Sequence, residues 1–347
     1  MRPRYSVVLS CAPGPNLPVS GSVCEEEEEG EKEGGSLLSD AVLARLLCAF
    51  CKQLAEKLDA VRQAAGDSLA RLLQPLAALT QSPPASSSSV VVMVAAIQET
   101  LRDTQAALFP DAAALSASDG AEVLLNWSKP DHVFPFAARL LSRQVRVRAF
   151  EEEAVAAAAA GGFSFSQLLF SAVLSGLVIS IGGLTETTAR EALRALADQC
   201  KCKGPQAGDS SASASASASA SARFVRQLGS GLLDILRSNS RDDRVVLPTI
   251  KAVEKLLRAG VFDMPESSCD AGDSFAASLG QVLKAELAGC RSVGKLLAYA
   301  DLTALLLAFR GPGRGQVRRQ ALRDLLTLLA HKYPVVRKCT QRRSCVL

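Results

Sequence analysis

The chain has 347 residues, of which 48% are apolar, which is enough to bury a sizeable core. Its 12 Phe, 3 Tyr and 1 Trp are too few for a typical β-sandwich. The net charge of +4 is unevenly spread, because residues 24–40 hold eight acidic residues against one Lys, whereas residues 310–347 hold ten Arg or Lys against one Asp. We interpret the acidic run as solvated chain and the basic end as a surface for an acidic protein, a nucleic acid or a membrane.

The first residues show no secretory signal, since the apolar run at Val7–Leu9 is short and prolines follow it. Ten cysteines without such a signal predict reduced thiols in a cytosolic protein. Residues 1–36 are rich in Pro, Gly, Ser and charge, which predicts a disordered low-complexity tail. The domain that follows is expected to span residues 37–347.

Beyond the tail, apolar residues recur three and four positions apart, which is the spacing of an amphipathic helix. Predicted helices cover residues 42–58, 61–75, 90–109, 136–150, 165–181, 186–200, 224–237, 246–259, 274–288, 291–309, 316–331 and a last segment from 334. Ser39 and Thr185 are placed to cap two of them. Pro248 suits a first helical position and Gly260 a C-terminal stop. No segment alternates convincingly as a strand.

Low-complexity segments interrupt the helical pattern. They predict flexible or disordered insertions near residues 81–89, 151–162 and 204–222. Residues 126–135 are expected to form a loop, because prolines bracket them. Helices with one apolar stripe each, joined by short turns, predict an all-α helical-repeat solenoid of the HEAT/armadillo type.

A short phrase recurs along the chain and supports the repeat interpretation. Its copies are Val61-Arg62-Gln63-Ala64-Ala65, Val317-Arg318-Arg319-Gln320-Ala321 and Val336-Arg337-Lys338-Cys339-Thr340. Each copy lies near the start of a predicted helix. Stacked helical hairpins produce such recurrence, since each hairpin presents a similar apolar face to its neighbours. A solenoid of this kind typically holds another protein on its surface.

One segment raises the alternative of a membrane protein. Residues 163–184 carry no charge and are long enough to span a bilayer. However, the segment contains five Ser and one Gln, ends in Gly182-Gly183, and has no basic cluster close to it. We therefore predict a buried solenoid helix and no membrane insertion.

A second alternative is an ATPase. Gly289-Cys290-Arg291-Ser292-Val293-Gly294-Lys295 has the spacing of a phosphate-binding loop. Leu296 stands where that loop has a magnesium-binding hydroxyl, and the preceding residues predict a helix instead of the required strand. A turn between two helices is the favoured interpretation, and a change in nucleotide affinity on Lys295→Ala would favour the ATPase.

The cysteines do not suggest a metal or redox centre. Cys48 and Cys51 lie in the middle of a predicted helix, away from the N-terminal dipole that would activate a thiol. Cys200 and Cys202 have no pair of histidines to complete a zinc site. No catalytic arrangement of Ser, Cys, His and Asp stands out. We therefore expect no cofactor, no metal and no enzymatic activity of the chain's own.

The basic end contains the candidate interaction residues. Arg319 and Arg323 are one helical turn apart, at the edge of the stripe formed by Leu325, Leu328 and Leu329. The full set of candidates is Arg318, Arg319, Arg323, Arg337 and Lys338. The simpler interpretation, a solvated helix face, stays open. Nucleic acid is not the expected partner, because aromatic residues are scarce and no known binding module appears.

Four stretches together resemble the C-terminal region of the tubulin-folding cofactor D family. They occur in the family's order and extend over roughly residues 40–340. The stretches are Ala55–Arg62, Asn126-Trp127-Ser128 with Pro130, Phe134 and Pro135, Leu177–Thr187, and Val317–Lys338. The uncharged helix ending in Gly182-Gly183-Leu184-Thr185-Glu186 is the most specific part. Family members are much longer, and their large N-terminal solenoid has no counterpart in these residues.

The resemblance implies a HEAT/armadillo-type solenoid that binds β-tubulin after its release from chaperonin. It further implies assembly with cofactors C and E around the α/β-tubulin pair, stimulation of tubulin's GTP hydrolysis together with cofactor C, and regulation by an Arf-like small GTPase. The expected location is the cytoplasm, in association with microtubules. The alternative is a generic HEAT-repeat scaffold without tubulin specificity, and dependence on tubulin would distinguish the two.

Overall fold

The computed structural model describes residues 39–76, 89–110, 125–155, 165–183, 185–201, 211–240, 242–263, 275–287, 289–310 and 313–344. These residues form twelve helices and no strand. The helices are α1 (Asp40–Leu54), α2 (Asp59–Leu76), α3 (Ser89–Leu108), α4 (Pro130–Val155), α5 (Phe165–Ile181), α6 (Glu186–Cys200), α7 (Ser211–Ser238), α8 (Asp243–Arg258), α9 (Phe275–Leu287), α10 (Val293–Leu307), α11 (Arg314–Leu329) and α12 (Pro334–Ser344).

The helices pack side by side in two rows. One row runs through α1, α5, α8, α10 and α12, and the other through α3, α4, α6, α7, α9 and α11. Several consecutive helices pair across the rows, as α4 does with α5 and α11 with α12, whereas α3 with α4 and α6 with α7 are neighbours within one row, and α2 packs on α1. A continuous apolar core lies between the rows. This arrangement confirms the prediction of an all-α helical-repeat solenoid.

The uncharged helix α5 is an interior helix of this solenoid, in contact with α1, α4, α6 and α8. Its small residues allow close packing, since a Cβ added to Gly176 would lie 2.4 Å from the carbonyl oxygen of Lys52 in α1. Its buried Ser180 hydroxyl donates a hydrogen bond to the carbonyl oxygen of Ala55, just after α1. Of the helices in the described parts of the chain, none is long and apolar enough to cross a membrane.

The loop predicted for residues 126–135 is shorter in the structure, because α4 begins at Pro130. A proline is tolerated at the first helical position, where its missing N–H would have no partner within the helix. Pro135 lies inside α4, and the same helix continues through residues 151–155, which the sequence had suggested as part of an insertion. Pro248 is likewise inside α8 instead of at its start. The side chain of Asp242 caps α8 by accepting a hydrogen bond from the Arg244 N–H at 3.0 Å.

The Ser-Ala repeat was predicted to be disordered, and this was wrong for residues 211–222, which belong to α7. Ala has the highest helix propensity, and the repeat contains no Pro or Gly, so nothing in it stops the helix that continues through Phe224. Residues 204–210 lie outside the described residues, as do the predicted tail at 1–36 and most of the other two insertions. Ser39 and Thr185 occupy the cap positions predicted for them, but neither side chain makes a capping hydrogen bond.

Candidate protein-interaction site

The predicted basic site lies on α11 and α12, where the two rows end in the described residues. Helix α11 starts after Gly313, whose φ of 72° is in the left-handed region that favours glycine. Its buried stripe packs into the core and consists of Val317, Ala321, Leu325 and Leu328. Arg318, Arg319 and Arg323 lie on α11, and Arg337 and Lys338 lie on α12. All five side chains are exposed.

The exposed residues of α11 separate onto two sides of the helix. Arg319 and Arg323 face a groove between α9 and α11, with α10 beneath it. We call this cavity of about 410 Å³ the α9–α11 groove. Arg318 lies on the other side, one turn before the exposed Leu322, and Leu326 follows one turn later. The candidates therefore do not form one cluster.

Asp324, the only acidic residue of the basic end, is held inside the groove by hydrogen bonds from two side chains. The buried Tyr299 hydroxyl of α10 donates to one carboxylate oxygen of Asp324 at 2.9 Å, and the Gln320 amide donates to the other at 2.9 Å. Burial and the Asp324 charge both raise the pKa of Tyr299, so this hydroxyl keeps its proton and remains a donor.

Arg337 has a structural partner. Its guanidinium donates from Nη1 to the carbonyl oxygens of His331 at 2.7 Å and Lys332 at 3.1 Å, and thereby ties α12 to the turn after α11. Arg343 pairs with Asp301 of α10, and the charge of Asp301 raises the pKa of this arginine. Tyr299, Asp301 and the groove residue Lys284 were missed by the sequence analysis, because they belong to helices that precede the basic end.

The phosphate-loop-like segment is a turn between α9 and α10, as the sequence analysis favoured. Gly289 makes the turn with a φ of 76°. Lys295 is 5% exposed, and its amine lies 2.6 Å from Asp243 and 3.6 Å from Glu286. Burial would lower the pKa of Lys295, but its hydrogen bond to Asp243 and the two carboxylate charges outweigh that effect and leave the pKa raised. A phosphate there would face two carboxylates, so the lysine serves to join α8, α9 and α10.

Three of the described cysteines, Cys48, Cys51 and Cys200, are buried in the apolar core. Cys48 and Cys51 are buried in α1, and burial raises the pKa of the Cys48 thiol to about 12. Burial also raises the pKa of Cys51, and that of Cys200 to about 12. Cys202 lies outside the described residues. Across the residues that the structure describes, no group of three or more His, Cys, Asp or Glu is placed to hold a metal ion.

The chain matches the model of a known family. The family model described as tubulin folding cofactor D C terminal matches residues 44–295, well over half of the chain. The matched region runs from α1 to the start of α10 and contains three of the four stretches on which the resemblance was based. The fourth stretch, and with it every candidate cation on α11 and α12, follows the last matched residue.

Proposed function

Because the chain belongs to the tubulin folding cofactor D C-terminal family, we propose that it is a tubulin-binding module with no catalytic centre of its own. In this proposal it binds β-tubulin after chaperonin release and assists assembly of the α/β-tubulin dimer. It acts with cofactors C and E, supports GTP hydrolysis by tubulin together with cofactor C, and responds to an Arf-like small GTPase. It does so in the cytoplasm, in association with microtubules. The family match over residues 44–295 is the observation that carries the proposal.

The charge of the α11–α12 end supports contact with an acidic protein. Arg318, Arg319, Arg323 and Lys338 are all exposed, and within the described residues none of them forms a salt bridge. Cations of this kind accelerate association with an acidic surface and make the affinity fall as salt screens the attraction. Arg337 is a weaker candidate, because its guanidinium already holds the α11–α12 turn.

The first experiment tests recognition of tubulin. The full chain is run with purified tubulin on a sizing column at low and moderate salt, and an unrelated acidic protein such as serum albumin serves as the control. We expect co-elution with tubulin alone, weakened by salt. A folded, helical chain that ignores tubulin, or that retains albumin equally well, would contradict the proposal and favour the generic scaffold.

A charge-reversal pair then tests the basic end. Arg318→Glu with Lys338→Glu should weaken tubulin binding about fivefold or more at low salt and flatten its salt dependence. The matched control is Arg71→Glu with Arg102→Glu, which reverses two exposed charges on α2 and α3. Equal losses of tubulin affinity in the two variants would show that binding depends on the net charge of the chain and not on the α11–α12 end.

A further inference from the structure

We propose that the α9–α11 groove binds a short acidic peptide segment of a partner protein, with Lys284, Arg319 and Arg323 holding its carboxylates. Where that partner is tubulin, the inference rests on the proposed function and assigns the tubulin contact to the α9–α11 groove.

Charge is the first argument. Lys284 extends from α9, and Arg319 and Arg323 from α11, so cations line both walls of the groove. In the described part of the chain, none of the three forms a salt bridge. Among the described lining residues the one carboxylate is that of Asp324, which accepts hydrogen bonds from Tyr299 and Gln320. The three cations exceed this single negative charge, and a carboxylate ligand would balance the excess.

Space is the second argument. Part of the α9 wall consists of small residues, the buried Ala276 and Gly280 and the half-buried Ala277. A Cβ added to Gly280 would have only the Cγ of Gln320, at 4.0 Å, as a close neighbour. This leaves an opening of about 410 Å³ above α10. A peptide can lie against the small residues of α9 while its acidic side chains reach the cations on both walls.

Hydrogen-bonding groups at the groove are the third argument. Thr303 of α10 lines the floor and is 1% exposed, and its hydroxyl is a hydrogen-bond neighbour of Tyr299. The exposed amides of Gln281 and Gln316 lie at the same groove and can pair with a peptide main chain.

The groove suits carboxylates better than nucleic acid. Proteins that bind single strands stack bases on exposed aromatic rings. Among the described lining residues the single aromatic ring is that of Tyr299, which is buried and bonded to Asp324. Planar guanidinium groups such as those of Arg319 and Arg323 pair with carboxylates through two parallel hydrogen bonds, as they do with phosphates, so the lack of an exposed ring in the described lining is what favours an acidic peptide.

The test measures binding of fluorescein-labelled hexaglutamate to the full chain by fluorescence anisotropy, at low and moderate salt. Arg319→Glu with Arg323→Glu should weaken binding about tenfold or more. Arg71→Glu with Arg102→Glu makes the same change in net charge on α2 and α3, outside the groove, and should change the affinity less than about twofold. Gly280→Met should also weaken binding, because it fills the groove without changing any charge. Circular dichroism confirms that each variant is folded.

Three results would overturn the inference: no binding of hexaglutamate to the folded chain, equal losses in the two charge-reversed pairs, or tighter binding of a short oligonucleotide with the same sensitivity to Arg319 and Arg323.

The two proposals can also fail separately. If tubulin co-elutes but hexaglutamate does not compete and the groove variants are normal, the groove assignment fails alone. If hexaglutamate binds in the groove but tubulin does not co-elute, the tubulin proposal fails alone.

Discussion

At the scale of single residues, the recurring Val-Arg phrase has a different role in each copy. In the α2 copy the arginine is buried and the valine half-buried, whereas in the α11 and α12 copies the valines are buried and the arginines exposed. The Arg62 guanidinium donates to the carbonyl oxygens of Glu56 at 3.0 Å and Ser128 at 2.7 Å, and pairs with Asp59. It also lies over the ring of Phe134. Arg62 therefore joins the α1–α2 turn to the segment before α4.

Replacing Arg62 by Met should lower the free energy of unfolding by about 3 kcal/mol, because two carbonyl groups lose a charged donor. Arg318→Met, at the same place in the α11 copy, should change it by less than about 0.5 kcal/mol, since that side chain is exposed. Urea unfolding followed by circular dichroism measures both values. Similar values for the two variants would show that the buried guanidinium does not stabilise the fold.

The cysteines of α1 lead to a prediction about pH. Because the pKa of Cys48 is raised to about 12, only about one molecule in ten thousand has its thiolate at pH 8. In native protein, Cys48 and Cys51 should react with iodoacetamide at least about tenfold more slowly than the half-buried Cys290. Their rate should rise with pH as the thiolate fraction grows. Mass spectrometry of labelled peptides measures each site, and unfolding in urea should make the rates similar.

At the scale of helices, the Gly182 position shows how a glycine lets two elements meet. A Cβ on Gly182, just after α5, would lie 2.1 Å from the carbonyl oxygen of Pro248 in α8. Next to it, the Lys255 amine of α8 donates to the carbonyl oxygen of Ile181 at 2.6 Å and satisfies the end of α5. Gly182, which lies in the most specific stretch of the family resemblance, is therefore required by the contact between α5 and α8.

Gly182→Ala should lower the free energy of unfolding by about 1–3 kcal/mol, because the added methyl group pushes against main-chain atoms of α8. Gly315→Ala is the control, since nothing lies within 4 Å of a Cβ at that position in α11. That change should be neutral or stabilise by up to about 1 kcal/mol, because Ala favours helix. Chemical denaturation gives both values, and a neutral Gly182→Ala would contradict the close contact.

At the scale of the whole molecule, each helix contacts mainly its row neighbours and its partner across the rows. In such a structure, damage at one end should stay local, because stability is approximately a sum of unit and nearest-neighbour terms. Helix α12 docks on α10 and α11, and its adjacent valines allow a matched comparison. Val336 is fully buried, whereas Val335 is 59% exposed.

Val336→Asp should destabilise the α12 end by about 3 kcal/mol, because it places a charge in an apolar contact. Hydrogen exchange should show lost protection in α10, α11 and α12, with α1 to α4 unchanged. Val335→Asp should leave the exchange pattern as it is. A uniform loss of protection along the chain after Val336→Asp would mean that the solenoid unfolds as one cooperative unit.

The sequence by itself determined the all-α class, the approximate bounds of most helices and the family resemblance. These follow from local signals, since the 3.6-residue periodicity and the capping residues act within one segment. Errors arose where local signals conflicted, as at Pro135, where the proline lies inside a helix, and in the Ser-Ala repeat, where low complexity concealed a good helix former.

The tertiary structure alone decided which cations lie together. Arg319 and Arg323 were expected to belong with their sequence neighbours Arg318 and Arg337, but packing against α9 and α10 places them with Lys284 and Tyr299. Packing also gives Lys295 the carboxylates of Asp243 and Glu286 as partners. The physical reason is that helix periodicity fixes only the direction of each side chain around its own axis. What that side chain meets depends on which distant helix packs there, and on small residues such as Gly182 and Gly280 that leave room for it.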